Sequence, residues 1–144
     1  MIKVKELIRL KGGSVWHAVP KTSMRAAIHL MTEKRIGALP VLDETGVVGI
    51  ISERDILRVM ADEGEECLDK DISNYMTRKV ITASAESTLE ECMQLMIDHH
   101  FRHLPILEGK ELVGIVSIRD LVKKLLTQRD ALINDLENYI VGKR

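Results

Sequence analysis

Hydrophobic and polar positions follow the same order in two stretches of the chain. In the first, Val15–Val19 reads as a short strand. Met24, Ala27, Ile28 and Met31 follow at the i, i+3, i+4, i+7 spacing of a helix with one face in a core. The pattern then changes to two short β-rich runs, LPVLD and VVGII, separated by a turn through Glu44-Thr45-Gly46, which read as a hairpin. Ser52 opens a second helical stretch that ends near Met60. The second stretch repeats each step. It has a strand near Val80–Ala83 and helical positions at Leu89, Cys92, Met93 and Met96. The runs LPILE and LVGIV follow around a turn at Gly109-Lys110, and Ser117 opens the last helix. The first helix of each stretch is expected after Thr22 and after Ser87, where Ser87 and Glu90 have capping-box spacing.

Sliding the chain against itself by 65 residues lays 15–60 over 80–125 without a gap, with 13 identities in 46 positions. This is a duplication, and each copy is one strand-helix-strand-strand-helix unit. The expected divisions are a lead-in at 1–14, a first repeat at 15–60, a connector at 61–79, a second repeat at 80–126 and a helical extension at 127–144. Val4–Lys11 reads as a short helix. Residues 61–71 are acidic and uneven and read as exposed, so Cys67 is expected to be an exposed thiol and Cys92, on the core stripe, a buried one.

Composition narrows the function classes. The 144 residues leave room for one ordinary domain or two small repeats. Lys+Arg is 21 against 22 Asp+Glu, a net charge of −1, so the broad basic field of a dedicated nucleic-acid binder is missing. The 45% apolar and 30% charged fractions belong to a globular chain and not a disordered one. No apolar run reaches membrane-helix length, and the N-terminus has no signal-peptide pattern, so a cytoplasmic protein without membrane attachment is expected. Two cysteines are too few for a disulfide framework or a metal site.

The heptapeptides GIISERD (49–55) and GIVSIRD (114–120), each behind an LP hairpin at one offset, resemble the G-h-x-S-x-x-D motif of the CBS domain. Two copies resemble the tandem CBS pair called a Bateman module. The lead-in VKELIRLKGGSVWHAV and the ending DLENYI are similar to a subgroup of stand-alone CBS-pair proteins. The resemblance implies an α/β sandwich of two β-α-β-β-α repeats about a pseudo-twofold axis, with a lead-in helix and an extended C-terminal helix. It also implies pairing into a flat homodimer, and adenosine-containing ligands bound in clefts between the repeats as regulatory signals.

The motif makes chemical sense as a nucleotide cradle. Gly49 and Gly114 would let backbone approach a ligand. Ser52 and Ser117 stand at helix N-termini, which suit phosphate. Asp55 and Asp120 are acceptors suited to ribose hydroxyls, and Arg54 and Arg119 are fork donors. The same Ser-x-x-Asp spacing also makes a plain helix cap, and the two roles can coexist. By the resemblance, Arg102 and His103 would face phosphate, whereas the matching Gly37-Ala38 has lost such donors. His103 would contribute more below about pH 6.5, where an ordinary imidazole gains charge. His17 and Thr82 match each other on the opening strands, where relatives line the adenosine pocket. Which strand serves which Asp stays open.

Other candidates are weaker. Trp16 fits a core or dimer contact better than a base stack. His99, His100 and His103 form HHxxH without the glutamate of a zinc protease, and no metal site is expected. Nucleophile-elbow, Walker and dinucleotide motifs are missing, so an enzyme is not expected. The leading expectation is a regulatory module with no obligatory cofactor. It would sense an adenine nucleotide and signal to an unidentified partner protein. AMP comes first, ADP, ATP and NAD are compatible, and S-adenosylmethionine is less so for want of a phosphate. The alternative is a structural homodimer or docking module whose Ser/Asp pairs only cap helices. Val122, Leu125, Leu132, Leu136 and Tyr139 form a stripe on the last helix that would meet a second chain or, within the chain, the lead-in helix with Val4, Leu7 and Ile8.

Overall fold

The computed structural model describes residues 1–12 and 15–140, so the junction at 13–14 and the last four residues of the expected extension lie outside the described residues. The helices are α1 (Val4–Lys11), α2 (Met24–Lys34), α3 (Glu53–Glu63), α4 (Leu89–His99) and α5 (Ile118–Ile140). The strands are β1 (Ala38–Asp43), β2 (Gly46–Ser52), β3 (Ala83–Ser84), β4 (His103–Glu108) and β5 (Glu111–Ser117). The mixed α/β architecture of two like units is the expected one.

The hairpins obey the duplication closely. β1 pairs antiparallel with β2 and β4 with β5, each with a bulge at the same place, Val41/Leu42 and Ile106/Leu107. The opening strands are shorter than expected. In the second repeat only Ala83–Ser84 joins the sheet, parallel to β4. In the first repeat the strand shrinks to a single parallel bridge, Ala18 to Val41. Pro20 stands where the Ala85 N–H donates to the Leu107 carbonyl at 2.9 Å in the second repeat, and proline has no N–H to make that bond.

Both first helices begin one residue later than the spacing predicts. Ser23 caps α2 through the Ala26 N–H at 3.0 Å, and Thr88 with Glu91, not Ser87 with Glu90, forms the capping box of α4. The reason is backbone pairing. The Thr22 carbonyl accepts the Ile72 N–H at 2.8 Å and the Ser87 carbonyl accepts the Val4 N–H at 2.7 Å, which holds both residues extended.

Those two bonds show how the cores are closed. The first core gathers Met24, Leu39, Val41 and Ile51 with Cys67, Ile72 and Met76 from the segment after the repeat. The second gathers Leu89, Leu104, Ile106, Val116 and Leu121 with Val4 and Leu7 from α1, before the first repeat. Each covering segment makes the same contacts 68 residues apart. Val4 matches Ile72, and the Leu89 N–H to Ile2 carbonyl bond at 3.1 Å matches Met24 N–H to Lys70 carbonyl at 2.9 Å. Ile8 matches Met76: Ile8 Cγ2 fills the space over Gly114, 3.1 Å from where a Cβ would stand, and Met76 Cγ fills that over Gly49 at 2.8 Å. The motif glycines therefore make room for core side chains and not for a ligand.

Three further expectations are corrected. Cys67 is buried, not exposed, because the connector folds into short 3-10 turns that seat its Sγ 3.4 Å from Met60 Sδ. Cys92 is buried as expected, and burial, with the Glu91 charge nearby, pushes its thiol up to about 11. Trp16 is 41% exposed, which removes the core alternative and not the dimer contact, and the Lys34 ammonium lies 4.2 Å above its ring. α1 does not cover the C-terminal stripe beyond Leu125, which packs on the second core together with Val4 and Leu7. It is spent on the second core, and Lys3 and Lys5 fix its start on Glu86 at 2.6 and 3.0 Å. Hydrogen bonds from those two lysines lower the Glu86 carboxyl to about 2. Leu132, Leu136 and Tyr139 stay exposed on α5.

Val4 and Ile72 are fully buried, so truncating either tests the exchanged cover. Ile72→Ala is expected to cost about 2–5 kcal/mol, and Val4→Ala about 1.5 kcal/mol at about 0.8 per buried carbon. Urea midpoints read both. An unchanged midpoint for Val4→Ala would remove α1 from the second core.

Candidate functional site

Both Ser-x-x-Asp motifs are complete capping boxes. At α3 the Asp55 N–H donates to Ser52 Oγ at 3.2 Å, and the Ser52 N–H donates back to Asp55 Oδ2 at 2.9 Å. At α5 the corresponding distances are 3.1 Å for Asp120 N–H to Ser117 Oγ and 2.9 Å for Ser117 N–H to Asp120 Oδ2. The Glu53 N–H is also taken, by the Gly37 carbonyl at 2.9 Å. The start of α3 thus offers an incoming anion fewer free amides than a bare helix end. The Arg54 N–H and exposed side-chain cations are the remaining donors there.

The two carboxylates differ in what else they hold. Asp55 Oδ1 accepts from Arg58, one turn along α3, at 2.8 Å. Asp120 Oδ2 accepts from Lys11, at the end of α1, at 2.7 Å.

A cleft of about 630 Å³ opens beside Asp55. Its position follows from the exchanged cover. Residues 70–76 belong to the first core, and Thr77 pairs with Ile50 through bonds of 2.9 and 3.0 Å. The chain must then cross to the second repeat, and Lys79, Val80 and Ile81 line the cleft as it does so. Phe101, Arg102 and His103, between α4 and β4, form another part of the wall. The segment that opens the second repeat, Lys79–Ile81, lines the same cleft as Asp55 of the first.

Of the expected residues, Ser52, Arg54, Asp55, Arg102 and His103 come together here. Ser117 and Asp120 stand at the Lys11 pair, outside this cleft. Arg119 and His17 are exposed elsewhere, the His17 ring 3.4 Å from its own Val15 carbonyl, and Thr82 is half-buried beyond the lining. Sequence reasoning missed Lys79, Thr77 and Arg58. Arg58 could have been found from its i, i+3 relation to Asp55. Lys79 could have been found only from its match to Lys11 across 68 residues.

The cleft is positive. Arg54, Arg58, Lys79 and Arg102 face it against Glu53 and Asp55. His99 and His100 also line it, but no group of three metal-ligating side chains occurs among the described residues. His103 Nε2 lies 2.9 Å, and Glu53 Oε1 3.3 Å, from where a Cβ on Gly37 would stand. Gly37 is therefore the berth for His103, not only a place where a donor was lost. Burial lowers the His103 pKa, and Lys11 and Arg102 push the same way, against the opposing pull of Glu53 and Asp120. The imidazole is neutral at neutral pH. It does not begin to charge at the ordinary value of 6.5, as the sequence suggested, but below it.

The CBS domain model matches the chain twice, at residues 14–62 and 70–127. The chain belongs to the CBS domain family. The CBS domain-containing protein CBSX3, mitochondrial, of Arabidopsis thaliana is 31% identical over 149 residues, spanning 96% of this chain and 72% of that protein. The crystal structure of the CBS-domain containing protein ATU1752 from Agrobacterium tumefaciens matches with a TM-score of 0.80 at 36% identity, over 85% of this chain and 98% of that one. The CBS domain pair of protein MJ0100, solved with 5′-methylthioadenosine and S-adenosyl-L-methionine, matches at 0.78 and 26% identity, over 90% and 98%. CBSX2, solved in complex with AMP, shares the fold at 0.75 and 24% identity, over 90% and 99%. No helix among the described residues of this CBS pair is long and apolar enough to cross a membrane.

The His103 environment sets a pH dependence. Its folded pKa lies below its unfolded value, so the unfolded chain binds the proton more readily and stability falls as pH drops below about 6.5. The lowered carboxylates Glu86 and Asp120 act in a more acidic window, below 4.5 and 3.8. Thermal midpoints between about pH 7.5 and 5 should therefore fall less steeply for His103→Gln than for the wild type. Equal slopes would contradict a half-buried His103 with a lowered pKa.

Proposed function

We propose that this CBS pair is a regulatory sensor that binds an adenosine ligand carrying phosphate in the Asp55 cleft. The observation that carries the reading is one cleft holding a hydroxyl acceptor from the first repeat and cationic donors from both repeats. Asp55 Oδ2 accepts from the Ser52 N–H and hydroxyl and Oδ1 accepts from Arg58, which leaves a lone pair on Oδ1 for a ribose hydroxyl. Arg102 and Lys79, with Arg54 beside them, take the phosphate as fixed charges. His103, neutral when the cleft is empty, gains a proton next to a phosphate dianion.

The MJ0100 complexes support the adenosine half of this reading. The phosphate half rests on Arg54, Lys79 and Arg102, and AMP remains the first candidate, with ADP, ATP and NAD as compatible ligands. A ligand gripped by both repeats changes how tightly they hold together, and a partner protein reads that change. The exposed apolar stripe on α5 and the helical faces fit a homodimer as the form in which the module works. The intact capping boxes favour one other reading, a docking or dimerisation module without a ligand.

Calorimetry with AMP and with adenosine separates the two. Losing one charge-assisted hydrogen bond is worth about 10- to 150-fold in affinity. Asp55→Asn keeps the shape of the box but loses the charge, and is expected to weaken both ligands in that range. Arg102→Ala is expected to weaken AMP and spare adenosine. Binding of neither ligand by the wild type would leave the docking reading, and equal losses of both ligands in Arg102→Ala would contradict the phosphate role.

A further inference from the structure

The two crossings between the repeats begin with the same residue. Lys11 and Lys79 stand 68 residues apart, three residues after Ile8 and Met76, which fill equivalent places over Gly114 and Gly49. Their fates differ. Lys79 is exposed in the open cleft, where Asp55 has Arg58 as its partner. Lys11 donates to Asp120 Oδ2 at 2.7 Å and to the Ile115 carbonyl at 3.0 Å, so two acceptors fix its ammonium.

We propose that Lys11 is a tethered occupant of the Asp120 site, so that the pair takes one adenosine ligand per chain, in the Asp55 cleft. The proposal rests on the reading of that cleft given above.

The tether is firm. Lys3 and Lys5 clamp the start of α1 to Glu86, Val4 and Leu7 are buried, and Ile8 sits over Gly114. Held this way, the ammonium competes for Asp120 intramolecularly, at an effective concentration of order millimolar or above. The ammonium and the Ser117 amide share Asp120 Oδ2, so a ribose spanning both carboxylate oxygens with its two hydroxyls would have to displace the ion pair. Burial alone would raise the Asp120 carboxyl, but Lys11 and the Ser117 amide outweigh it and keep it ionised. One pair of donor positions is also missing on this side. Where the open cleft has Arg102-His103, the first repeat has Gly37-Ala38, and Gly37 is filled by His103 itself. Freeing Asp120 therefore restores a hydroxyl acceptor beside Arg119 but not the Arg102-His103 donors, and adenosine is the probe that reads it.

Equilibrium dialysis with radiolabelled adenosine counts the sites. The wild type is expected to saturate at one adenosine per chain, Lys11→Met to approach two, and Lys11→Arg, which keeps the cation, to stay at one. Two sites in the wild type, or one site in both the wild type and Lys11→Met, would overturn the role of Lys11 and leave the Asp55 cleft standing. One site in Lys11→Met with none in the wild type would keep Lys11 as the occupant and overturn the reading of the Asp55 cleft. No binding in either would overturn both.

Discussion

Neither repeat closes its own core. The sheet and helices of the second repeat leave a gap that Val4 and Leu7 fill from the far end of the chain, and those of the first leave a gap filled by Ile72 and Met76. Both patches are fully or almost fully buried, so the hydrophobic effect fixes α1 on one repeat and residues 70–76 on the other. The rest of the architecture follows. Once Met76 is seated over Gly49, the chain must cross to the second repeat directly in front of α3, which makes the crossing a wall of the cleft. Once Ile8 is seated over Gly114, Lys11 is delivered to α5.

The Ser-x-x-Asp motif serves the helix first. Its serine and aspartate satisfy amides at the starts of α3 and α5, and that role is complete without a ligand. What distinguishes the two copies is their surroundings. Beside Asp55 the cations belong to its own helix, to the crossing and to the other repeat, and they leave a cavity between them. Beside Asp120 the nearest cation arrives on a docked helix and sits on the carboxylate itself. Like motifs thus stand beside an open cleft in one repeat and beside an ion pair with a docked helix in the other, and the difference comes both from the covering segments and from residues that diverged between the repeats.

The hairpins, the core stripes of α2 and α4, and the second helices were legible because a single offset of 65 residues aligns them without a gap. The covering segments were not, because they match at 68. The three extra residues fall at Gly12-Gly13-Ser14, and among Val4/Ile72, Ile8/Met76 and Lys11/Lys79 only the lysines are identical. Local composition also misled. Cys67 sits among acids that face solvent, yet a 3-10 turn directs it inward. Glycines that look like ligand-approach points are clearances for Met76 and Ile8. Half of the candidate residues meet in the cleft because the sequence could name donors and acceptors but not the crossing that brings opposite repeats together.

Amide chemical shifts during an AMP titration test the central claim most directly, because they map the ligand without altering the chain. A cleft built by both repeats predicts shifts at Ser52–Asp55, at Lys79–Ile81 and at Arg102–His103 together, with Ile115–Asp120 little affected. Shifts centred on Ile115–Asp120, or confined to residues of one repeat, would contradict it.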